Sequence, residues 1–139
     1  MSDFRMFGTL GSALAAQTVR LNTVASNLAN ADQAAGSPEA AYRARVPMFA
    51  AVLDEAQRDG STVGVQVKGV AVSDEPPRAE YQPGHPLADA QGYVYYSNVR
   101  PVEQMADMIS ASRSYESAAQ ALGTVQELIQ RTLRLGEGA

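Results

Sequence analysis

Residues 7–31 read FGTLGSALAAQTVRLNTVASNLANA, and this stretch decides the fold. Its apolar residues recur at alternating intervals of three and four, with one polar exception, Gln17. The positions are Phe7, Leu10, Leu14, Gln17, Leu21, Val24, Leu28 and Ala31. A seam of this kind, sustained over more than three heptads, predicts a helix over residues 6–31 that packs lengthwise against another helix.

The other faces of this predicted helix carry almost no charge. Arg20 is the only charged residue between Met6 and Ala31, and most positions off the seam are small or uncharged polar residues. An exposed coiled-coil helix usually carries charged residues on its outer face. We therefore infer a helix enclosed by neighbouring protein on several sides; the alternative is an alanine-rich helix in a small bundle.

A second seam with the same spacing lies near the carboxyl end and predicts a helix over residues 102–135. Its positions are Met108, Ala111, Tyr115, Ala118, Leu122, Val125, Ile129 and Thr132, preceded by an offset stripe of Val102, Met105 and Ile109. Pro101 suits the first turn, Ser97 or Asn98 is a candidate cap, and Gly136 is a candidate stop.

The middle of the chain predicts three or four short strands. Valines alternate with other residues at the start of a predicted strand over residues 61–73, and the alternation shifts at Gly69, which indicates a β-bulge. Tyr42, Ala44 and Val46 alternate like a strand, and we favour a strand there. After Pro47 the residues Met48, Phe49, Val52 and Leu53 fit a helical stripe, and that segment is left open. Further strands are predicted at residues 78–82 and 92–96, with a turn at residues 83–86.

Together these patterns predict an α+β fold. Long amino- and carboxyl-terminal helices pair as an antiparallel coiled coil, with a small β-rich insertion between them. The expected divisions are residues 1–35 for the first helix of the core, 36–97 for the β-rich region and 98–139 for the second helix.

Composition excludes several classes of protein. The chain has 139 residues, and a hydrophobic content of 45% with 19% charged residues is too apolar for wholesale disorder. A net charge of -4 argues against a nucleic-acid binder that works by phosphate neutralisation. The chain has no cysteine, which excludes disulfides and thiolate metal sites. No apolar run approaches the ~18 residues that span a bilayer.

Little in the sequence indicates catalysis, and we predict no catalytic, cofactor-binding or metal-binding residues. The single histidine, His85, sits in Pro-Gly-His-Pro with Asp89 and Glu80 nearby, and a turn role is favoured over a metal site. No phosphate loop, dinucleotide-binding glycine pattern or nucleophile elbow is present. Three tyrosines at 93, 95 and 96 are assigned to core and interface roles.

The amino terminus does not read as a cleaved signal peptide. Residues 6–16 are only mildly apolar, Asp3 offsets Arg5, and the seam runs through the supposed cleavage point. If the protein leaves the cytoplasm, we expect another route.

Several motifs resemble a known family. Residues 26–32, SNLANAD, resemble the signature shared by axial proteins of the bacterial flagellum. Residues 81–94 (YQPGHPLADAQGYV), 97–99 (SNV) and 103–115 (EQMADMISASRSY) are similar to the FlgC family of flagellar basal-body rod proteins. The likeness covers nearly the whole chain. It departs at Ala118 and Gly123, where that family often has asparagine, which puts local contacts of the second helix in doubt.

This resemblance implies a structural subunit of the proximal rod, the hollow drive shaft that crosses the periplasm and transmits torque for motility. It implies export by the flagellar type III apparatus without a cleaved signal peptide. The implied partners are copies of the chain, other proximal and distal rod proteins, and the adaptor to the membrane ring. No cofactor, nucleic acid or small-molecule substrate is implied.

The resemblance also suggests which residues contact neighbouring subunits. They are Ser26, Asn27, Leu28, Asn30, Asp32, Arg113 and Tyr115. We expect the amides of Asn27 and Asn30 to be hydrogen-bonded to adjacent helices or loops; the alternative is that they only terminate the first helix. The competing functions are another axial protein of the rod or hook junction, a coiled-coil adaptor that forms a closed dimer, and an enzyme.

Overall fold

Two long helices and five strands make up the part of the chain that the computed structural model describes, residues 2–53 and 63–137. In chain order the elements are α1 (Ser2–Ala29), β1 (Ala34–Ala35), β2 (Arg45–Leu53), β3 (Val63–Val72), β4 (Arg78–Tyr81), β5 (Tyr93–Tyr96) and α2 (Pro101–Glu137). The predicted α+β class, with terminal helices flanking a β-rich middle, is confirmed.

The two helices pack against each other and run antiparallel. Asn27, at the end of α1, reaches Gln104 at the start of α2, and Phe7 lies beside Ile129 at the opposite end. Val24 and Ala111, both on the predicted seams, are buried. The apolar spacing therefore predicted the pairing correctly, because each seam removes its apolar side chains from water against the other.

The helix bounds differ from the prediction by a few residues. α1 begins before residue 6 and ends at Ala29, where the amide of Asn30 bonds the carbonyl of Asn27 in a closing turn. α2 begins at Pro101, as expected from the fixed φ of proline. It continues through Gly136, so the prediction of a stop at that glycine was wrong; helix ends are defined less sharply by sequence than helix interiors.

Strands β2 and β3 form a two-stranded antiparallel sheet. Met48 lies opposite Gly69 whereas Phe49 lies opposite Val67, so Lys68 is the extra residue of a β-bulge. Gly69 has a φ of 150°, a conformation that a side chain disfavours. The predicted bulge at Gly69 is confirmed; residues 61–62 of that predicted strand lie outside the described residues.

β2 resolves the ambiguous segment after Pro47 in favour of a strand. Pro47 is tolerated because each strand of a two-stranded sheet has one edge without ladder bonds. The prediction of a strand at Tyr42 and Ala44 was wrong. The amide of Ala44 bonds the side chain of Asn98 at 2.6 Å instead of a neighbouring strand, so this segment is a loop fixed by side chains.

The second sheet has the order β1-β5-β4, and all its pairs are antiparallel. β4 and β5 were predicted, whereas the two-residue strand β1 was not. Val94 on β5 is fully buried and Val99 follows it into the core. This sheet leads directly into α2 and so fixes where the second helix begins.

The loop between β4 and β5 is closed by Asp89. Its Oδ1 accepts hydrogen bonds from the backbone amides of Gln91 and Tyr93, both at 2.9 Å, and its Oδ2 accepts one from the Tyr95 hydroxyl at 2.9 Å. The bond from the Tyr93 amide is the main cause that lowers the pKa of Asp89. The bond to Asp89 raises the pKa of Tyr95.

His85 and Gly92 complete this loop. The Nδ1 of His85 accepts a hydrogen bond from the amide of Leu87 at 3.1 Å, in keeping with the predicted turn role. Gly92 has a φ of 87°, and a Cβ there would lie 2.9 Å from the ring of Tyr81. Any larger residue at this position would therefore displace Tyr81.

The Asp89 bonds predict an acid-sensitive loop. Because the folded pKa of Asp89 lies below its ordinary value of 3.8, the unfolded chain binds this proton first as pH falls. The contribution to stability is present above the ordinary pKa and is lost as pH falls through the lower folded pKa. The effect is measured in urea titrations at different pH values. As pH is lowered from about 5 to about 3, we expect the free energy of unfolding to fall less in Asp89→Asn than in the wild type.

The matched control is Glu116→Gln, at an exposed position on α2. This variant should keep the wild-type dependence on pH. An Asp89→Asn curve that is parallel to the wild-type curve over the whole range would contradict the assigned role of Asp89.

Candidate assembly surface

Asn27 is the centre of a buried hydrogen-bond cluster. Its side chain is 1% exposed. The amide nitrogen Nδ2 donates to the carbonyl of Arg45 and to Oε1 of Gln104, both at 2.9 Å. The oxygen Oδ1 accepts from the amide of Arg45 at 2.9 Å and from the Tyr42 hydroxyl at 3.1 Å. Both donors and both acceptor positions of the amide are therefore used within the chain.

This cluster, which we call the Asn27 cluster, joins three parts of the fold. Asn27 lies in the last turn of α1, Arg45 is the first residue of β2, and Gln104 lies in the first turns of α2. Ser26 adds a contact between its Oγ and the Tyr42 hydroxyl at 3.1 Å. Only a side chain with both donors and acceptors can bind the two backbone groups of Arg45 at once.

The remaining motif residues divide between the helix end and the surface. The side-chain nitrogen Nδ2 of Asn30 donates to the backbone carbonyl of Ser26 at 2.8 Å, which satisfies one of the last carbonyls of α1. Leu28 is half-buried, and Asp32 is exposed. Ser26 and Asn27 therefore point into the chain, whereas Asn30 closes the helix and Asp32 faces outward.

Arg113 and Tyr115 lie apart from this cluster. They are exposed residues of α2, and Arg113 comes nine residues after Gln104, about 13 Å along a helix. The structure therefore brings Ser26 and Asn27 together with Tyr42, but it does not bring Arg113 or Tyr115 to them.

Tyr42 and Gln104 are the residues of this cluster that the sequence analysis missed. Gln104 lies four residues before Met108 and so continues the seam of α2 with a polar side chain. A polar residue on an apolar seam was the available signal. Tyr42 gave no comparable signal, because its contact with Asn27 depends on the path of the loop between α1 and β2.

Arg20, the only charge on the middle of α1, is also used within the chain. Its guanidinium forms an ion pair with the Asp107 carboxylate of α2. Both side chains are about one quarter to one third exposed, at 26% and 34%. The pair leaves the outward faces of α1 between residues 6 and 31 without an uncompensated charge.

The exposed apolar side chains of the described residues include two neighbouring groups, one on α2 and one on β2. The first, the α2 stripe, consists of Val102, Met105 and Ile109, which are 80%, 55% and 57% exposed. The second, the outer face of the β2–β3 sheet, consists of Val46 and Met48, which are 52% and 47% exposed. Contiguous apolar groups with this exposure typically mark surfaces for other proteins.

The structure gives less support for a metal site than for an assembly surface. Among residues 2–53 and 63–137, the side chains form no group of three potential metal ligands. No helix in these ranges is both long enough and apolar enough to cross a bilayer.

Two family models match this chain. The family model described as "Flagella basal body rod protein" matches residues 7–36. The model described as "Flagellar basal body rod FlgEFG protein C-terminal" matches residues 90–135. Together the two models cover most of α1 and most of α2.

Full-length relatives carry one description, "Flagellar basal-body rod protein FlgC". The protein of Salmonella typhimurium is 44% identical over 137 residues, covering 99% of this chain and 100% of the relative. The protein of Escherichia coli O157:H7 has the same identity and coverage. The protein of Aquifex aeolicus is 40% identical over 136 residues, covering 95% of this chain and 96% of the relative. On this likeness over nearly its whole length, the chain belongs to the FlgC family of flagellar basal-body rod proteins.

Proposed function

We propose that this structural protein of the flagellar basal-body rod acts as one subunit of a hollow, helically assembled drive shaft that transmits motor torque. Membership of the FlgC family carries the proposal, because the likeness spans the whole fold and not one motif. The same membership makes the chain a rod protein and not an enzyme, and implies assembly with other rod proteins.

The Asn27 cluster supports a role in transmitting force. It ties α1, β2 and α2 together through hydrogen bonds of a side chain that is itself buried. Breaking one partner of a buried hydrogen bond costs roughly 1–3 kcal/mol. A subunit in which both helices and the sheet are joined in this way transmits force as one body, since no part of it turns without breaking these bonds.

The low charge of α1 supports close packing in the shaft. The Arg20–Asp107 ion pair is formed inside the chain, so neighbours need not supply a partner for a buried charge. Removing an unpaired charge from water is costly. We infer that residues 1–35 and 98–139 form the wall of the tube, and that residues 36–97 extend from it.

The proposed binding partners are copies of this chain, other proximal and distal rod proteins, and the adaptor to the membrane ring. The rod crosses the periplasm, and the subunit reaches it through the flagellar type III apparatus without a cleaved signal peptide. The subunit contacts include Leu28, Asn30, Asp32, Arg113 and Tyr115. Ser26 and Asn27 contribute indirectly by fixing the shape of α1 and β2.

Deletion of the gene tests the function directly. We expect loss of swimming, with basal bodies that stop before a complete rod in electron micrographs, and recovery of both when the intact gene is returned. Normal rods and normal swimming in the deletion strain would overturn the proposal and favour the closed-dimer adaptor.

The pair Asn27→Ala and Asn30→Ala separates folding from assembly. Asn27→Ala removes the hydrogen-bond partner of both backbone groups of Arg45 and of Oε1 of Gln104, whereas the Tyr42 hydroxyl keeps its contact with Ser26. The free energy of unfolding should therefore fall by roughly 1–3 kcal/mol. Asn30→Ala loses one bond at a helix end and should cost about 1 kcal/mol or less. We expect both variants to lower rod yield and motility, but only Asn27→Ala to unfold markedly earlier in urea.

Equal motility and rod yield of Asn30→Ala and the wild type would contradict a role of Asn30 in assembly. Equal urea midpoints of Asn27→Ala and the wild type would contradict the structural role of the cluster.

The free subunit should be less helical than the assembled one. The two helices hold 28 and 37 of the 139 residues. Met6 near the start of α1 is exposed, and so are Leu133 and Leu135 near the end of α2. Isolated helical segments with few buried contacts are marginal in water. Far-ultraviolet circular dichroism of the purified monomer should therefore report fewer helical residues than the two full helices contain.

Gly123→Ala provides a control in the same helix. A Cβ at Gly123 meets no atom within 4 Å, and alanine favours the helix by about 1 kcal/mol, so this variant should raise the helix signal. A wild-type signal equal to both full helices would contradict the expectation of frayed ends.

A further inference from the structure

The fold has three layers, with α1 between the β2–β3 sheet and α2. Arg20 of α1 reaches Asp107 of α2, and Val24 lies one turn later on the same side. Val19, Asn22, Thr23 and Ser26 of α1 line a groove with Val70 and Val72 of β3. These residues lie on a different side of the helix from the apolar seam of α1, and within the described residues α2 makes no contact with β2 or β3. The sheet and α2 therefore contact different sides of α1.

The α2 stripe points away from α1. Met105 and Ile109 lie two residues on either side of Asp107, which contacts α1 through Arg20. They are therefore about 200° around the helix from that contact, in agreement with their high exposure. The α2 stripe therefore lies on the face of α2 that is turned away from α1.

The outer face of the β2–β3 sheet points away from α1 in the other direction. Val70 and Val72 line the groove beside α1, whereas Ala71, between them, pairs with Val46. Successive residues of a strand alternate between its faces, so Val46 and Met48 lie on the face opposite to the groove. Their cross-strand neighbours are Ala71 and Gly69, so these four paired positions carry no charged side chain.

Both patches lie at the same level of the molecule. Arg45, next to Val46, is joined through Asn27 to Gln104, next to Met105. The stripe from residue 102 to 109 is about 10 Å long, and the outer face from residue 46 to 48 is about 7 Å long. A second copy of the chain placed beside the first, without a shift along the helix axis, therefore brings its sheet face level with the α2 stripe of the first copy.

We propose that the outer face of the β2–β3 sheet in one copy of this chain packs on the α2 stripe of the next copy. The layers then repeat as sheet, α1 and α2, followed by sheet, α1 and α2. Each copy carries both halves of the contact, so the interface is heterologous, and it gives an open series of subunits where the rotation between copies does not close a ring. The proposal rests on the proposed function, and it names one contact of that assembly.

The absence of cysteine makes a clean crosslinking test possible. Met48→Cys and Met105→Cys place one thiol on each patch, and the double variant places both on one chain. Basal bodies are isolated from cells in which the variant replaces the wild type, and are treated with a short bismaleimide linker. We expect a ladder of masses at whole multiples of this chain with the double variant, and no ladder with either single variant.

Two matched variants complete the test. Met48→Cys with Glu127→Cys moves the second thiol to an exposed position more than four turns along α2, and should give no ladder. Ile109→Glu added to the double variant should reduce the ladder at least tenfold. Because Ile109 is more than half exposed, this change should leave the circular dichroism of the monomer unaltered.

Each contrary outcome has a distinct meaning. Dimers from either single variant would indicate a two-fold contact between identical patches and overturn the proposed one. A crosslink from the Met48→Cys variant to a protein of another mass would show that a different rod protein covers the sheet, and would overturn the contact between copies. Basal bodies that contain the double variant but yield no ladder would overturn the contact and leave the proposed function standing. Wild-type basal bodies that lack this chain would overturn both.

Discussion

The four hydrogen bonds of the Asn27 amide are the constraint on which the rest of the structure depends. They hold the backbone of Arg45 from both sides, and so determine where β2 begins and in which direction it leaves α1. The bond to Gln104 sets the start of α2 against the end of α1. Seven residues earlier along α1, about 10 Å away, the Arg20–Asp107 ion pair fixes the same helix pair a second time. Apolar seams alone slide easily by a heptad, and two polar contacts at defined positions remove that freedom.

The parts of the fold that were predicted are those with a local signal. The seams of both helices, the bulge at Gly69 and the strands β4 and β5 all follow from spacing within a few residues. The parts that were missed depend on distant partners. β1 exists only because Ala34 and Ala35 pair with β5, and the loop at Tyr42 is fixed by Asn27. The asparagine motif was assigned to contacts between subunits, yet Asn27 is satisfied inside its own chain, which spacing could not reveal.

The stretch around Pro83 to Tyr93 shows how a recognisable motif can serve the fold. Asp89 closes the loop with its two oxygens, and Gly92 leaves room for the ring of Tyr81. His85 binds the backbone two residues on. These residues serve the turn itself, whereas the α2 stripe and the outer face of the β2–β3 sheet lie elsewhere in the fold.

The contacts that join the two helices also determine when the chain can fold. Asn27 and Gln104 are 77 residues apart, and Arg20 and Asp107 are 87 apart. Contacts between such distant residues form late, because the intervening chain must first be brought together at an entropic cost. Whichever end of the chain is available first, its helix waits for the other end before it gains its partner. The topology thus delays the pairing of the helices until almost the whole chain is available, whereas the hairpins β2–β3 and β4–β5 join residues much closer in sequence and can form earlier.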